Sequence, residues 1–240
     1  MNENQLSESQ LREQIAELGK SLYDRGLAHG SAGNISVKLA DGYLLTPTNS
    51  CLGRLNPARI SRLDGNGELI SGDAPSKEAF LHLGMYQERP TSAAVVHLHS
   101  LHAVAVSCLD GLNADDVFPP ITAYTVMQVG KLALVPYYAP GDMALADAVR
   151  KLASKHHAVL LANHGPVVAG TSLTAAVYAI EELEQTAQLM LLLLCGERFK
   201  LSLPCTQPLY FIARCGDIAL EPRQLSQMLL QVKAAFTCGG

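Results

Sequence analysis

Ala93-Ala94-Val95-Val96-His97-Leu98-His99-Ser100, followed downstream by Ala158-Val159-Leu160-Leu161-Ala162-Asn163-His164-Gly165, is the stretch that decides how this chain is read. The small and aliphatic residues leading to Val96 predict a buried strand. Side chains alternate across a strand, so His97 and His99 share one face while Leu98 takes the other. Ala158 to Leu161 predicts a second apolar strand, with His164 just past its end. Two imidazoles on one face form half a site for a divalent transition metal. A third closes three corners of a tetrahedron and leaves the fourth open for substrate. The same histidines would also serve as hydrogen-bonded core residues, and the pattern alone leaves both readings standing.

Working outward, 240 residues of which 48% are hydrophobic suffice for one large α/β domain. The net charge of −4 gives no general attraction to nucleic acid or to an anionic membrane. No apolar run is long enough to span a bilayer. Met1 to Arg12 is polar and helix-like, without a signal sequence. The six cysteines are scattered with no C-x-x-C pair, so reduced thiols and a cytoplasmic location are expected.

Ser7 to Gln10 reads as a capping box opening a helix with Leu11, Ile15, Leu18 and Leu22 on one face. Asp41-Gly42 and Asp64-Gly65-Asn66-Gly67 mark hairpins. Ser76 is expected to open a helix to about Gln87, Lys131 to Tyr137 to be a strand, and Gly141-Asp142 to begin a helix to about Ala153. A long helix follows over Ser172 to Cys195, with a terminal one over Leu225 to Phe236. Hairpins alternating with helices predict a mixed sheet covered on both faces.

Three polar loops accompany these elements. Gly30-Ser31-Ala32-Gly33-Asn34 lets backbone approach a ligand closely, and its exposed N–H groups suit an anion. Thr46-Pro47-Thr48-Asn49-Ser50 offers further hydrogen-bonding side chains. Ser76-Lys77-Glu78 lies at an expected helix start, where a phosphate is favoured. Taken singly, each is an ordinary turn or cap.

In this order and spacing, G-S-A-G-N-I-S (30–36), L-T-P-T (45–48), S-K-E (76–78), V-V-H-L-H-S (95–100) and N-H-G-P (163–166) resemble the class II aldolase/adducin family. The resemblance runs from about Leu11 to Arg198. It implies a three-layer α/β/α fold around a mixed, largely antiparallel sheet, taken as one domain over residues 1–240. It also implies a homotetramer with active sites between subunits and a divalent metal, commonly Zn2+, with Mn2+ or Co2+ as other candidates. By the same resemblance His97, His99 and His164 are the metal ligands and Glu78 is the acid/base carboxylate. Ser31, Asn34, Thr48, Asn49, Ser76 and Lys77 match the phosphate-binding positions, and Tyr124 matches a tyrosine that donates a proton in a neighbouring subunit's site.

The chain departs from the family's sugar-phosphate aldolases at Lys77, where a small hydroxyl residue is usual, and at Asn49, where glycine is usual. An added cation and amide suit a substrate with a further anion. Whole segments (44–55, 72–82 and 156–170) are most similar to the branch that decarboxylates 3-oxo-tetronate 4-phosphate, a phosphorylated sugar acid. That similarity implies dihydroxyacetone phosphate and carbon dioxide as products, by way of a metal-stabilised enediolate. A fuculose-phosphate-like aldolase or a 4-epimerase is the alternative. An adducin-like interaction module would be expected to have lost the metal histidines, which this chain keeps. His29 and His82 are expected to be a turn residue and a packing residue. His102 is a candidate neighbour of the metal ligands, and Glu181, Glu182 and Glu184 form a solvated or intersubunit face.

Overall fold

The computed structural model describes residues 6–139 and 142–194, which belong to one compact unit, Met1–Phe199. Eight strands form one sheet: β1 (Asn34–Leu39), β2 (Gly42–Leu45), β3 (Ser61–Leu63), β4 (Leu69–Ser71), β5 (Ala94–His97), β6 (Ala133–Val135), β7 (Ala158–Leu161) and β8 (Gly165–Gly170). Their spatial order is β4-β3-β2-β1-β5-β8-β7-β6. Among the described strands only β6 and β7 run parallel; every other neighbouring pair is antiparallel. The sheet is therefore mixed and largely antiparallel, as expected.

Among the described residues, five α-helices cover it: α1 (Glu8–Asp24), α2 (Ala79–Glu88), α3 (Leu101–Ser107), α4 (Ala144–Ala153) and α5 (Leu173–Leu194). β5 and β7 are buried on both faces, which is why they read as unbroken apolar runs. Val96, Leu160 and Val168 face a core shared with α1, α3 and α5. Their sequence neighbours Val95, Val159 and Val167 face a second core built with α2 and α4. The period-two alternation thus separates two helix layers and makes the domain a three-layer α/β/α sandwich.

The Ser7 capping box forms: Gln10 N–H donates to Ser7 Oγ at 3.3 Å, and Ser7 N–H donates back to Gln10 Oε1 at 2.9 Å. The first hairpin turns at Ala40-Asp41, one residue earlier than expected, because Leu39 already pairs with Gly42. Helix α2 begins at Ala79 instead of Ser76, since Ser76 Oγ and carbonyl instead close a turn with the Glu78 and Ala79 amides. The strand expected over Lys131 to Tyr137 shortens to β6, and α4 begins at Ala144. A π-helical turn over Thr125–Val129 had no signal in the sequence pattern. The terminal helix expected at Leu225 to Phe236, Cys195, Cys205, Cys215, Cys238 and the remainder of the 1–240 domain expectation lie outside the described residues. No described helix is long and apolar enough to cross a membrane.

The acidic group on α5 is not a uniform solvated face. Glu181 pairs with Arg25. Glu184 turns inward and caps α3, accepting from the His102 and Ala103 amides at 2.9 and 2.8 Å. It also takes His102 Nδ1 at 2.8 Å, which commits that histidine to α5. Replacing Glu184 by Ala leaves two helix N-terminal donors without this acceptor. A loss of about 1–2 kcal/mol is expected, read as a lowered midpoint in chemical denaturation.

Candidate active site

The site is set by register. His97, the last residue of β5, lies directly opposite Asn34 of β1 and Val167 of β8. Leu98 turns into the core of the α1 layer, and His99 returns to the face of His97. The third histidine arrives through the turn between β7 and β8. Asn163 adopts a left-handed conformation (φ 56°), which asparagine tolerates better than most residues. Gly165 has φ 157°, and a Cβ there would stand 2.3 Å from the Leu98 carbonyl oxygen. Only glycine lets this turn lie against the Leu98-His99 backbone, and that closeness delivers His164.

One ligand atom from each of Glu78, His97, His99 and His164 falls within 4.8 Å of all the others. The His99 Nε2 is 3.0 Å from both His97 Nε2 and His164 Nε2. Glu78 Oε1 is 3.2 Å from His164 Nε2, and Glu78 Oε2 is 3.6 Å from His97 Nε2. The Pro166 carbonyl lies 2.8 Å from His97 Nδ1 and can only accept, so Nδ1 carries the proton and Nε2 turns a lone pair inward. Lone pairs that converge without enough donors call for a shared cation. Nitrogens bound tetrahedrally to zinc stand about 3.3 Å apart, close to the spacing found. The residues fit a divalent metal. Burial first, and then repulsion from His97 and His164, push His99 down to about 4, so its imidazole is unprotonated at neutral pH, the form a metal would require.

Burial alone would raise the Glu78 carboxyl, but the His164 and His97 imidazoles beside it and the hydrogen bond from the Asn34 amide outweigh burial and hold the group well below the usual carboxylate range. Asn34 Nδ2 donates to Glu78 Oε2 at 2.6 Å. Asn34 Oδ1 meets His82 Nε2 at 2.5 Å, His82 Nδ1 meets Ser36 Oγ at 2.7 Å, and Ser36 Oγ meets the Tyr86 hydroxyl at 2.8 Å. Asn34, Ser36, His82 and Tyr86 are all buried. Asn34 therefore faces inward beneath Glu78, with both ends of its amide committed, and His82 does more than pack. The signal for this set is present in the sequence. Asn34 and Ser36 alternate on one strand face, while Glu78, His82 and Tyr86 recur every four residues along α2 and the turn before it.

The anion-binding loops come together in part. Backbone bonds Thr48 N–H to Ala74 O (2.9 Å) and Ser76 N–H to Thr46 O (3.2 Å) fasten the Thr48-Asn49 loop to the Ser76-Lys77 segment. Asn49 has φ 54°, so it occupies a left-handed position where glycine is the default. Asn49 and Lys77 are exposed, Thr48 and Ser76 half-buried, and Ser31 sits in an exposed turn. His29 is near enough for its charge to lower His99, a link the sequence did not reveal. Tyr124 is 65% exposed at the start of the π-helical turn and is not among the residues that meet at the cluster.

Two outcomes are expected. Replacing His97 by Ala removes a nitrogen whose tautomer is fixed, so the divalent metal retained per chain after loading and dialysis should fall to near zero. Burial first, and then the charge of His97, hold His82 down to about 3, against an ordinary value of 6.5. The unfolded chain thus binds a proton there that the folded one refuses. This contribution to stability is complete above pH about 6.5 and is lost as pH falls towards about 3. In metal-free protein the melting temperature should drop across that window, and less steeply in His82→Gln.

The model of the class II aldolase and adducin N-terminal domain matches residues 13–191. A 3-oxo-tetronate 4-phosphate decarboxylase of Pectobacterium atrosepticum is 53% identical, over 80% of this chain and 88% of that protein. The L-fuculose phosphate aldolase of Escherichia coli is 34% identical, over 78% and 85%. The crystal structure of YgbL from Klebsiella pneumoniae superposes with a TM-score of 0.78 at 49% identity, over 81% of this chain and 93% of that one. By the family match, the level of identity and the shared fold, the chain belongs to the class II aldolase and adducin family.

Proposed function

We propose that this chain is a metal-dependent carboxy-lyase that converts 3-oxo-tetronate 4-phosphate to dihydroxyacetone phosphate and carbon dioxide. The observation that carries the reading is the convergence of three imidazoles and one carboxylate within 4.8 Å, in a chain 53% identical to a decarboxylase of that name and only 34% identical to a fuculose phosphate aldolase. His97, His99 and His164 would hold a zinc ion, or manganese or cobalt in its place, and the bound ion supplies Lewis-acid stabilisation of negative charge on the substrate's C3 oxygen.

The remaining work falls to side chains. Lys77, with Ser76, Thr48, Asn49 and Ser31, takes the phosphate. A strong ion pair to the departing carboxylate would stabilise the ground state and slow its loss, so the lysine is better used at the other end of the substrate. When the C1–C2 bond breaks, its electron pair moves to C2 and is delocalised onto the C3 oxygen. One proton added at C2 then completes the product. Glu78 rests ionised, which suits it to hold the C2 hydroxyl. The C2 proton is assigned to Tyr124 of a neighbouring copy in a homotetramer, a role consistent with its exposure. The half-buried Cys51 and exposed Cys108 are free thiols, in keeping with the reducing cytoplasm.

Zinc-loaded protein given 3-oxo-tetronate 4-phosphate should release carbon dioxide and dihydroxyacetone phosphate in equal amounts, and a chelator should abolish both. Neither product from protein that retains zinc would redirect the reading to an aldolase or 4-epimerase built on the same cluster. Lys77→Met should raise KM about tenfold or more, the loss of one charge-assisted contact to the phosphate.

A further inference from the structure

We propose that His82 is a positioning residue for Glu78, acting through Asn34 and backed by Ser36 and Tyr86. The proposal rests on the reading of Glu78 as a residue that acts on substrate. The direction of each hydrogen bond along the row supports it. An ionised carboxylate only accepts, so the Asn34 amide nitrogen must be the end 2.6 Å from Glu78 Oε2. Asn34 Oδ1 is then an acceptor, and the atom 2.5 Å from it, His82 Nε2, must carry a hydrogen. Neutral imidazole has one N–H, so His82 Nδ1 accepts, and its donor is the Ser36 hydroxyl at 2.7 Å. The Ser36 oxygen in turn accepts from the Tyr86 hydroxyl at 2.8 Å.

Four hydrogen bonds therefore point one way, from Tyr86 to Glu78, with no reversal along the chain. Each fixes the next. Rotating the Asn34 amide by half a turn would set its oxygen against the carboxylate and its NH2 against the His82 N–H, two repulsions at once. With Oε2 held in this way, Oε1 is left 3.2 Å from His164 Nε2, facing the cluster. Without the imidazole N–H, Asn34 Oδ1 would be a buried acceptor with no donor, and the amide would be free to turn. A histidine that only filled space would leave Glu78 indifferent to the loss of that N–H.

The test compares His82→Leu and His82→Gln with wild type in steady-state kinetics, zinc content and 15N imidazole spectra. Gln places an amide donor close to the position of Nε2; Leu supplies bulk alone. In His82→Leu, kcat should fall about 10- to 100-fold, as for the loss of an outer partner of a site ligand. KM should stay within about twofold, the pattern for an interaction that matters in the transition state. Zinc content should remain full, and His82→Gln should recover most of the loss. The wild-type spectrum should show His82 protonated at Nε2. Equal kcat in the Leu and Gln variants, or a His82 protonated at Nδ1, would overturn the proposal. Should His82→Leu not fold, Ser36→Ala serves: it removes the donor to Nδ1 and should lower kcat several-fold while zinc stays bound, whereas unchanged kcat would count against the relay. Wild-type protein that makes no carbon dioxide yet shows the Nε2–H form would defeat the assigned activity and leave the relay in place.

Discussion

The pairing of β5 between β1 and β8 is the constraint on which the rest of this molecule depends. At its end, Asn34, His97 and Val167 lie abreast across three strands. Side chains alternate with a period of two, so a slip of one residue in either pairing would turn His97 into the layer of α1 and α5 and carry Asn34 away from Glu78. The apolar faces on both sides prevent that slip. Val95 and Val96 belong to different cores, and exchanging them would disrupt both. Register, fixed by ordinary hydrophobic burial, is thus what sets the histidine beside the amide that holds the carboxylate.

The cluster itself works against folding. Three imidazoles and a carboxylate crowd together, and the depression of His99 to about 4 reflects burial and mutual repulsion. Such a group is kept in place by supports beyond it: the Pro166 carbonyl on His97, the Asn34 amide on Glu78, and the glycine that lets the β7–β8 turn approach Leu98. The two extensive cores absorb this cost. The division fits the general pattern in which a site is the strained part of a well-packed domain.

Much of this was legible in the residues themselves. The H-x-H on an apolar strand and the N-H-G after a second one pick out the three histidines that converge, and alternation alone separates Leu98 from them. What the one-dimensional pattern hid was pairing between elements distant in the chain. Asn34 looked like an anion ligand because its loop is rich in glycine, yet the strand register buries it under Glu78. His82 looked like packing because helix α2 is apolar on nearly every side, and the row Glu78, His82, Tyr86 gains its meaning only where it lies over Asn34 and Ser36 of β1. Glu184 read as part of a solvated or intersubunit face, and only the approach of α5 to α3 makes it a cap. Asn49, a departure from glycine in sequence, is intelligible once its left-handed φ is known. The π-helical turn and Ser76's turn ahead of α2 are local details that propensities do not encode.

The turn between β7 and β8 also governs when the site comes into being. His164 follows His99 by 65 residues, and β8 completes the central pairing of β5 only after α4 and β7 have been made. A nascent chain that has emerged as far as α4 displays two of the three imidazoles, a weak and open chelate. Strand pairings over such separations also form slowly, because the intervening loop must first be closed. The three imidazoles are therefore brought together only when β8 has joined the sheet, with the Pro166 carbonyl and the β7–β8 turn placed by the same pairing.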